Sequence, residues 1–381
     1  MLHSLVIKNF RCLEDFTVEK LGRVNLIVGK NNSGKSTVLE ALRIYAGNAH
    51  PQLLEDIADS HDETRILSDE NTLKNNIYLP FADLFTNRLF PKQDGIEILI
   101  GESETDKDTL FIKHIFYINK MMEDPRLGGL IVDTHEIILK SDYERLLATP
   151  FKQGLLVHNL NNEYQSLISF NYSSPPRLSQ YSYKQTSFIP IGFIPTQFIS
   201  VSELENDWAN NIAGTTENEE ILKKAMCIIL PEFENIYFLP STEKSRIIKV
   251  KLSNHPRPVP LKSLGDGMTR ILQLVLKLVS AQGGFLLIDE FENGLHYSTQ
   301  EKIWSWLFEV AEQLDIQVFA TTHSWDCIES FTKVANEKSN IEGILFRMGR
   351  SARKSNKGQI IATVFDKEAL YDLTQIDVEI R

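Results

Sequence analysis

The feature that most constrains this chain is a glycine-rich octapeptide at residues 29–36. The run GKNNSGKS fits the pattern G-x-x-x-x-G-K-[ST]. It follows the apolar run 24–28 and precedes a segment whose apolar residues recur at helical spacing until about residue 47. A strand, a glycine-rich turn and a helix in this order predict a phosphate-binding loop.

The chemistry of such a loop names its candidate residues. Backbone N–H groups face the phosphates, a lysine adds a positive charge, and a hydroxyl reaches Mg²⁺. Lys35 and Ser36 supply the last two groups here. The full set of candidate phosphate-binding residues is Gly29, Asn31, Asn32, Ser33, Gly34, Lys35, Ser36 and Thr37.

A second signal lies far downstream, where the apolar run 285–288 is followed by Asp289 and Glu290. A buried strand of a parallel sheet delivers such acids to the crevice at its carboxyl end. Asp289 is predicted to hold the metal ion, and Glu290 to orient or deprotonate an attacking water. An apolar strand ending in acids is also common as a solvated terminus, and only the phosphate-binding loop favours the functional interpretation.

Two weaker signals flank this strand. Residues 263–268 place a hydroxyl and two glycines at a predicted helix N-terminus, which suits an anion, although the loop also fits a plain helix cap with Asp266 at the N-cap. His323 follows a predicted strand, where an imidazole could touch a γ-phosphate or the attacking water. A lone histidine is more often structural.

The remaining patterns predict an α/β protein in five parts. These are an N-terminal loop-and-helix lobe (1–47), a partly helical insertion (48–94), an antiparallel β-rich region (95–200), a helical and strand subdomain (201–260) and a C-terminal lobe (261–381). Strands of the β-rich region are predicted at 96–100, 110–117, 136–139 and 167–172. Alternating helix and strand after about residue 267 predict a parallel sheet.

Composition excludes several classes of protein. With 381 residues, 42% of them hydrophobic, the chain is long enough for a large core, and a net charge of −11 argues against a wholly polyanion-binding surface. Cys12, Cys227 and Cys327 are widely separated, which predicts neither disulfides nor a zinc site. The N-terminus lacks a signal-peptide pattern, and the most apolar stretch, 271–288, is interrupted. We therefore expect a cytoplasmic protein without a membrane segment.

Taken in order, the phosphate-binding loop, the S-x-G-D-G loop, the apolar strand ending in Asp-Glu and the Thr-His-Ser segment resemble the ABC-class ATPases of the SMC and recombination-repair type. The chain is similar above all to bacterial SMC-like AAA ATPase domain proteins, which include the ATPase parts of OLD-family nucleases and of the Septu, retron-linked and PARIS anti-phage systems. The segments that open the chain (6–11), lie within the insertion (81–85) and follow Glu290 (291–296) share the pattern.

This resemblance implies the ABC ATPase fold, with ATP and Mg²⁺ as ligands and two subunits enclosing two nucleotides. Ser263, Gly265, Asp266 and Gly267 would then form a signature loop that contacts ATP bound to the partner chain. Residues 293–296 would connect the two sites, and His323 would be the switch histidine. The resemblance also places Arg11 near the nucleotide and Gln197 at the metal, beside Ser36 and Asp289.

The chain departs from the family in two respects. The 226 residues between Ser36 and Ser263 hold no long heptad run, so arms that entrap DNA are not expected. The acids near the C-terminus are scattered rather than clustered as a nuclease site requires, which predicts that any nuclease lies on another polypeptide. These acids are Asp366, Glu368, Asp372, Asp377 and Glu379.

The clearest basic segment, 347–357, carries five positive charges and no acid, and it is predicted to form a hairpin tip. It is either a solvated loop or a contact to DNA, RNA or an acidic partner. A second basic group, at residues 244–251, could face either way.

The sequence therefore predicts an ATPase that dimerises around Mg-ATP and acts as a nucleotide-dependent sensor in anti-phage defence, controlling a nuclease or toxin in trans. Two alternatives stay open. One is a scaffold that holds ATP with little turnover and sequesters a partner. The other is a DNA-repair ATPase that acts on DNA ends.

Overall fold

A computed structural model describes residues 1–63, 80–124, 130–142, 150–160, 165–171, 177–182, 188–242, 245–352 and 358–365. The chain forms two compact units. The first comprises Met1–Ser4, Val18–Leu39 and Ile189–Arg381, and the second comprises Leu5–Thr17 and Glu40–Phe188. These units cut across the segment 1–47; the five-part division remains a prediction.

The described strands are, in chain order, β1 Leu5–Phe10, β2 Leu13–Val18, β3 Val24–Val28, β4 Ile98–Gly101, β5 Leu110–Asp124, β6 Leu130–Ile138, β7 Lys152–Asn159, β8 Gln165–Asn171, β9 Arg177–Ser182, β10 Ile191–Ile194, β11 Phe233–Thr242, β12 Ser245–Leu252, β13 Val259–Pro260, β14 Phe285–Ile288, β15 Gln317–Thr322, β16 Gly343–Arg350 and β17 Ile360–Phe365. The described α-helices are α1 Lys35–Ala46, α2 Pro51–Ser60, α3 Val201–Asn211, α4 Thr216–Ile229, α5 Asp266–Ser280, α6 Tyr297–Gln313 and α7 Trp325–Glu337. Short 3₁₀ turns occupy Pro80–Leu84, Thr86–Arg88 and Leu261–Leu264. None of the described helices has both the length and the apolar character needed to cross a membrane.

The first unit contains a six-stranded sheet in the order β10-β14-β15-β3-β16-β17. All neighbours pair in parallel except the last two, β16 and β17. Every residue of β3, β14 and β15 is buried, as strands covered on both faces of a parallel sheet must be. The predicted α/β class, with a parallel sheet that carries the phosphate-binding loop, is confirmed.

The register of this sheet places the chemical motifs at the carboxyl ends of its parallel strands. Ile288 is level with Ala320, and Thr322 is level with Val28. The residues that follow β3, β14 and β15 therefore emerge at the same end of the sheet. Helix α5 packs against β10 and is buried along nearly its whole length, so it forms part of the core of this unit.

The second unit contains an eight-stranded sheet in the order β2-β1-β4-β5-β7-β8-β9, with β6 also paired to β5. The described pairs of β1 and β4 to β9 are antiparallel, which confirms the antiparallel β subdomain of the predicted fold. The bounds of its strands differ from those predicted. Strand β5 continues to Asp124, and the pattern missed β7 and β9, because Gly154 interrupts one and polar residues dominate the other.

Two further elements of the first unit differ from the sequence interpretation. Strand β10 lies within the region predicted to be antiparallel, yet it pairs in parallel with β14. The helical stretch predicted at 203–230 is two helices, α3 and α4, separated near Gly214, whose positive φ of 79° suits glycine. Strands β11, β12 and β13 form a separate three-stranded antiparallel sheet.

Candidate nucleotide site

The phosphate-binding loop curls directly from β3 into α1. A Cβ on Gly29 would lie 2.6 Å from the Met348 carbonyl oxygen, so no larger residue fits there. Gly34 has a φ of 90°, a conformation that other residues avoid. Asn31 and Asn32 are exposed at the tip of the loop, and Thr37 lies in the first turn of α1. The predicted strand, loop and helix are all present.

Lys35 lies at the start of α1, half-buried. Its Nζ donates to the carbonyl oxygens of Gly29, at 2.8 Å, and Lys30, at 3.2 Å. Burial lowers the pKa of Lys35, and the nearby carboxylates of Asp289, Glu290 and Glu292 oppose that shift. The lysine and the three acids therefore share one electrostatic environment.

Asp289 is the centre of a cluster of hydroxyl groups. Ser36 Oγ lies 3.1 Å from both of its carboxylate oxygens. Thr196 Oγ1 donates to Oδ2 at 3.1 Å, and Thr321 Oγ1 donates to Oδ1 at 2.7 Å. Four elements that are distant in sequence thus meet at one carboxylate.

This donor set fits the predicted Mg²⁺. Hydroxyl and carboxylate oxygens are the hard ligands that Mg²⁺ prefers, and the ion commonly takes only one or two carboxylates, with water and phosphate oxygens as its other ligands. Ser36 and Asp289 would hold it. Gln197, the third predicted ligand, is exposed in the turn after β10, next to Thr196; its contact with a metal remains a prediction.

Glu290 and His323, the two predicted catalytic residues, lie close together. Glu290 Oε1 is 3.7 Å from His323 Nδ1. The backbone of Glu290 has a φ of 50°, unusual for a residue with a Cβ, and its N–H donates to Thr321 Oγ1 at 2.8 Å. The adjacent Phe291 N–H donates to the Thr321 carbonyl oxygen at 2.9 Å. Thr321 thus holds the turn that presents Glu290.

Arg270 is a residue that the sequence reasoning missed. It lies on α5, is only 2% exposed, and donates to the carbonyl oxygens of Pro195, Asp289 and Glu290 at 2.8, 2.7 and 2.8 Å. Burial lowers its pKa to about 10, which leaves it charged at neutral pH. A single arginine within the apolar stretch of this helix is the signal that could have identified it, because a buried charge requires partners.

The predicted signature loop lies at the N-terminus of α5. Ser263, Gly265 and Asp266 are exposed, and Ser263 Oγ donates to the Pro260 carbonyl oxygen at 2.7 Å. Gly265, with a φ of 92°, is the N-cap residue, and Asp266 is the first residue of the helix. The alternative interpretation, in which Asp266 is the N-cap, is therefore wrong; its side chain stays available at the helix terminus.

Gly267 brings the signature loop against the segment 293–296. A Cβ on Gly267 would lie 3.0 Å from the Gly294 carbonyl oxygen. In the same segment, Asn293 Nδ2 donates to the Thr196 carbonyl oxygen at 2.6 Å. The loop predicted to link two sites across a dimer thus contacts both the signature loop and the turn after β10 within one chain.

Arg11 belongs to the second unit, where two carboxylates hold it. Its Nε is 3.0 Å from Glu40 Oε2, and its Nη1 is 2.7 Å from Glu63 Oε1. A contact between Arg11 and a nucleotide remains a prediction.

The basic hairpin is formed by β16 and β17, and the tip residues 353–357 lie outside the described residues. Lys30, Arg347 and Arg350 line a groove of about 500 Å³ between the hairpin and the phosphate-binding loop. Members of the second basic group are paired: Arg246 lies 3.3 Å from Glu205, and Lys251 lies 2.7 Å from Glu234. Of the two groups, the hairpin is the better candidate for an anionic partner.

Comparison with known proteins gives a family match over residues 1–328, to the family described as AAA ATPase domain. An "ATP/GTP phosphatase" of Helicobacter pylori is 26% identical over 355 residues, which cover 89% of each chain. A shorter segment is 32% identical over 109 residues to the "DNA double-strand break repair Rad50 ATPase" of Archaeoglobus fulgidus, covering 29% of this chain and 12% of that protein. The "OLD nuclease" of Thermus scotoductus is 47% identical over 53 residues, which cover 14% of this chain and 10% of that protein.

Among solved structures, an SMC head bound to the C-winged helix domain of ScpA aligns with 98% of this chain and 99% of its own, at 12% identity and a TM-score of 0.47. The family match is far more extensive than any of the short similarities. Because it spans 328 of the 381 residues, the chain belongs to the AAA ATPase domain family.

Proposed function

We propose that this chain binds Mg-ATP at the end of β3 and β14, hydrolyses it, and uses the nucleotide state as a switch. The observation that carries the proposal is the cluster around Asp289. One carboxylate gathers the hydroxyls of Ser36, Thr196 and Thr321, and the adjacent Glu290 lies 3.7 Å from His323. The proposed phosphate-binding loop, metal-binding acid and general base all follow strands at the same end of the parallel sheet.

Each residue has a definite role in this proposal. Lys35 and the backbone N–H groups of the loop bind the phosphates, and Ser36 and Asp289 hold Mg²⁺. When bound, the ion neutralises charge on the phosphate oxygens. Glu290 orients the attacking water and accepts its proton, and His323 contacts that water or the terminal phosphate.

The exposed signature loop supports a composite site. Ser263, Gly265 and Asp266 lie on the surface at the N-terminus of a fifteen-residue helix, where backbone N–H groups and the helix dipole favour an anion. We propose that they contact ATP held by a second copy of the chain. Hydrolysis then requires dimerisation, and turnover per chain rises with protein concentration.

The switch is proposed to serve as the sensor and regulatory subunit of a prokaryotic anti-phage system, controlling a nuclease or toxin encoded on another chain. The resemblance to anti-phage ATPases supports this assignment. The scattered acids after residue 365 support an effector in trans.

The test is steady-state ATP hydrolysis by the purified chain, with and without duplex DNA and the product of the neighbouring gene. Glu290→Gln should retain ATP binding and lower turnover about 10²- to 10⁴-fold, as loss of a general base does. Lys35→Ala should lose ATP binding. Glu301→Gln, on the exposed surface of α6, is the matched control for Glu290→Gln.

Unchanged turnover in Glu290→Gln would refute the role of Glu290, and retained ATP affinity in Lys35→Ala would refute that of the loop. Tight ATP binding without turnover under any of these conditions would favour the alternative, a scaffold that holds ATP.

The basic groove favours a second candidate, an ATPase that acts on DNA ends. Lys30, Arg347 and Arg350 line it, and no acid is among the described residues that do so. Neutralising Arg350, Arg353 and Lys354 should then abolish DNA-stimulated turnover and leave basal turnover intact. DNA stimulation that survives these changes would exclude this surface.

A further inference from the structure

Glu292 lies two residues beyond Glu290, within the segment 291–296, and the sequence assigned it no role. Its Oε1 accepts the backbone N–H of His323 at 3.1 Å and lies 3.2 Å from His323 Nδ1. The side chain of Glu292 is 13% exposed, against 50% for His323. A largely buried carboxylate therefore accepts the backbone N–H of an exposed histidine and lies within ion-pair distance of its ring.

Other contacts place Glu292 within the same electrostatic environment as the phosphate-binding loop. Lys35 and Arg270 are both attracted to it. The N–H of Phe291, between the two glutamates, donates to the Thr321 carbonyl oxygen, which fixes the turn that carries them. The position of Glu292 is thus set by the packing of β14 against β15.

The chemistry of the contact determines the tautomer of His323. An ionised carboxylate only accepts hydrogen bonds, so a hydrogen bond across this 3.2 Å separation would require Nδ1 to carry the hydrogen. In a neutral imidazole with Nδ1–H, the other nitrogen, Nε2, is left as the acceptor. Carboxylates orient histidines in this way in catalytic triads and in metal sites.

We propose that Glu292 is a positioning residue for His323, which it fixes as the Nδ1–H tautomer so that Nε2 is free to act on the attacking water or the terminal phosphate. The inference rests on the proposed function, because it assigns Glu292 a task only if His323 takes part in hydrolysis. Glu292 itself touches neither nucleotide nor water in this proposal.

A double-mutant cycle tests it. His323→Ala and Glu292→Gln should each lower kcat about tenfold or more, with KM for ATP changed less than about threefold. The double variant should be no slower than His323→Ala, because Glu292 acts only through the imidazole. Glu292→Asp, which keeps a carboxylate, should recover part of the lost activity, and Glu301→Gln should behave as wild type.

The outcomes separate this inference from the proposed function. If His323→Ala slows turnover but the effect of Glu292→Gln multiplies with it, the inference fails and the role of His323 stands. If His323→Ala turns over normally, the inference fails together with that role, whereas Glu290→Gln still tests hydrolysis.

A measurement that does not depend on activity reads the tautomer directly. In the full chain with ¹⁵N-labelled histidine, the His323 signals, assigned by their loss in His323→Ala, should report Nδ1–H in the wild type. In Glu292→Gln they should show a mixed or Nε2–H population. A wild-type ring that is Nε2–H, or one unaffected by Glu292→Gln, would overturn the inference.

Discussion

Two clusters of acids in this molecule differ in how their charge is compensated. In the second unit, Glu40 and Glu63 meet the guanidinium of Arg11, and His61 Nε2 lies 2.5 Å from Glu40 Oε1. At the end of the parallel sheet, Asp289 meets three neutral hydroxyls, and within the described ranges it forms no ion pair. In the cluster of the second unit, cationic groups of the chain itself pair with the acids.

We interpret the difference as separating a structural cluster from the proposed binding site. Asp289 is half-buried, and Lys35 and Arg270 attract it, although among the described residues it forms no ion pair. The hydroxyls orient Asp289 without neutralising it, which suits the proposed metal ion. Arg11 and its partners hold no such unused charge. We therefore expect changes in the first cluster to lower stability and changes in the second to lower function.

The largest effect is expected from Arg11→Met. Arg11, Glu40 and Glu63 have side-chain exposures of 9%, 10% and 4%, so the change leaves two carboxylates buried without their cation. Breaking a buried ion pair in this way costs about 3–5 kcal/mol. Denaturant unfolding followed by circular dichroism measures the loss. The control, Arg23→Met, breaks the exposed pair with Asp315 and should cost less than about 1 kcal/mol.

Arg11→Met also tests whether the Arg11 cluster is structural. If Arg11 contacts the nucleotide, as the family resemblance predicts, Arg11→Met should lower ATP affinity while stability stays near that of the wild type. Loss of stability with unchanged affinity in the folded fraction would instead assign Arg11 to the structural cluster.

Asp289→Asn should have the opposite effect to Arg11→Met: it should weaken Mg²⁺ binding and leave stability nearly unchanged. The amide keeps the shape and one acceptor but removes the charge, so the Mg²⁺ concentration for half-maximal turnover should rise about tenfold or more, roughly 1.4 kcal/mol. The free energy of unfolding should fall by less than about 1 kcal/mol, or rise. Turnover titrated with Mg²⁺ and thermal unfolding provide the two readings. A variant that loses stability but keeps its Mg²⁺ dependence would make Asp289 structural.

The sequence predicted the part of the site that lies in contiguous motifs. The phosphate-binding loop and the Asp289-Glu290 pair each combine residue type and local context in a few consecutive positions, so their place at a strand end follows from pattern alone. His323 was a weaker prediction, because a lone histidine carries no local context. In the structure it lies beside Glu290.

The remainder could not be predicted, because it depends on contacts between distant segments. Thr196 reaches Asp289 only because β10 pairs in parallel with β14. Strand β10 is only four residues long, and its sequence does not indicate which strand it pairs with. Thr321 and Arg270 form hydrogen bonds with backbone groups of other elements. Because every residue has the same backbone groups, such contacts produce no recognisable sequence pattern. Polar strands such as β9 lack the alternation that marks a strand, so the extent of the antiparallel sheet was also underestimated.

A smaller effect is expected from Thr321→Val, which removes the hydroxyl that joins Asp289 to the Glu290 N–H. Loss of these two hydrogen bonds should lower kcat about fivefold, which corresponds to about 0.5 kcal/mol for each bond, with KM nearly unchanged. Thr321→Ser retains the hydroxyl and should recover most of the rate. If valine and serine variants are equally slow, packing rather than the hydroxyl holds the turn.

The smallest effect concerns His61 in the structural cluster. Its hydrogen bond to Glu40 raises the pKa of His61 above the ordinary value of 6.5, with burial and Arg11 opposing and Glu63 assisting the shift. The contribution to stability is therefore fully present below about pH 6.5 and is lost as pH rises through the higher folded-state pKa. Because the side chain is 40% exposed, screening should keep the change below about 1 kcal/mol.

His61→Gln isolates this contribution. The free energy of unfolding of the wild type minus that of the variant, measured from pH 5.5 to 8.5, should decrease with rising pH. A difference that stays constant would show that the pair does not couple to folding, and one that grows would reverse the sign of the argument. Repeating the same measurement in the Asp289→Asn background should give the same decrease, which tests whether the pH dependence belongs to the His61 cluster alone.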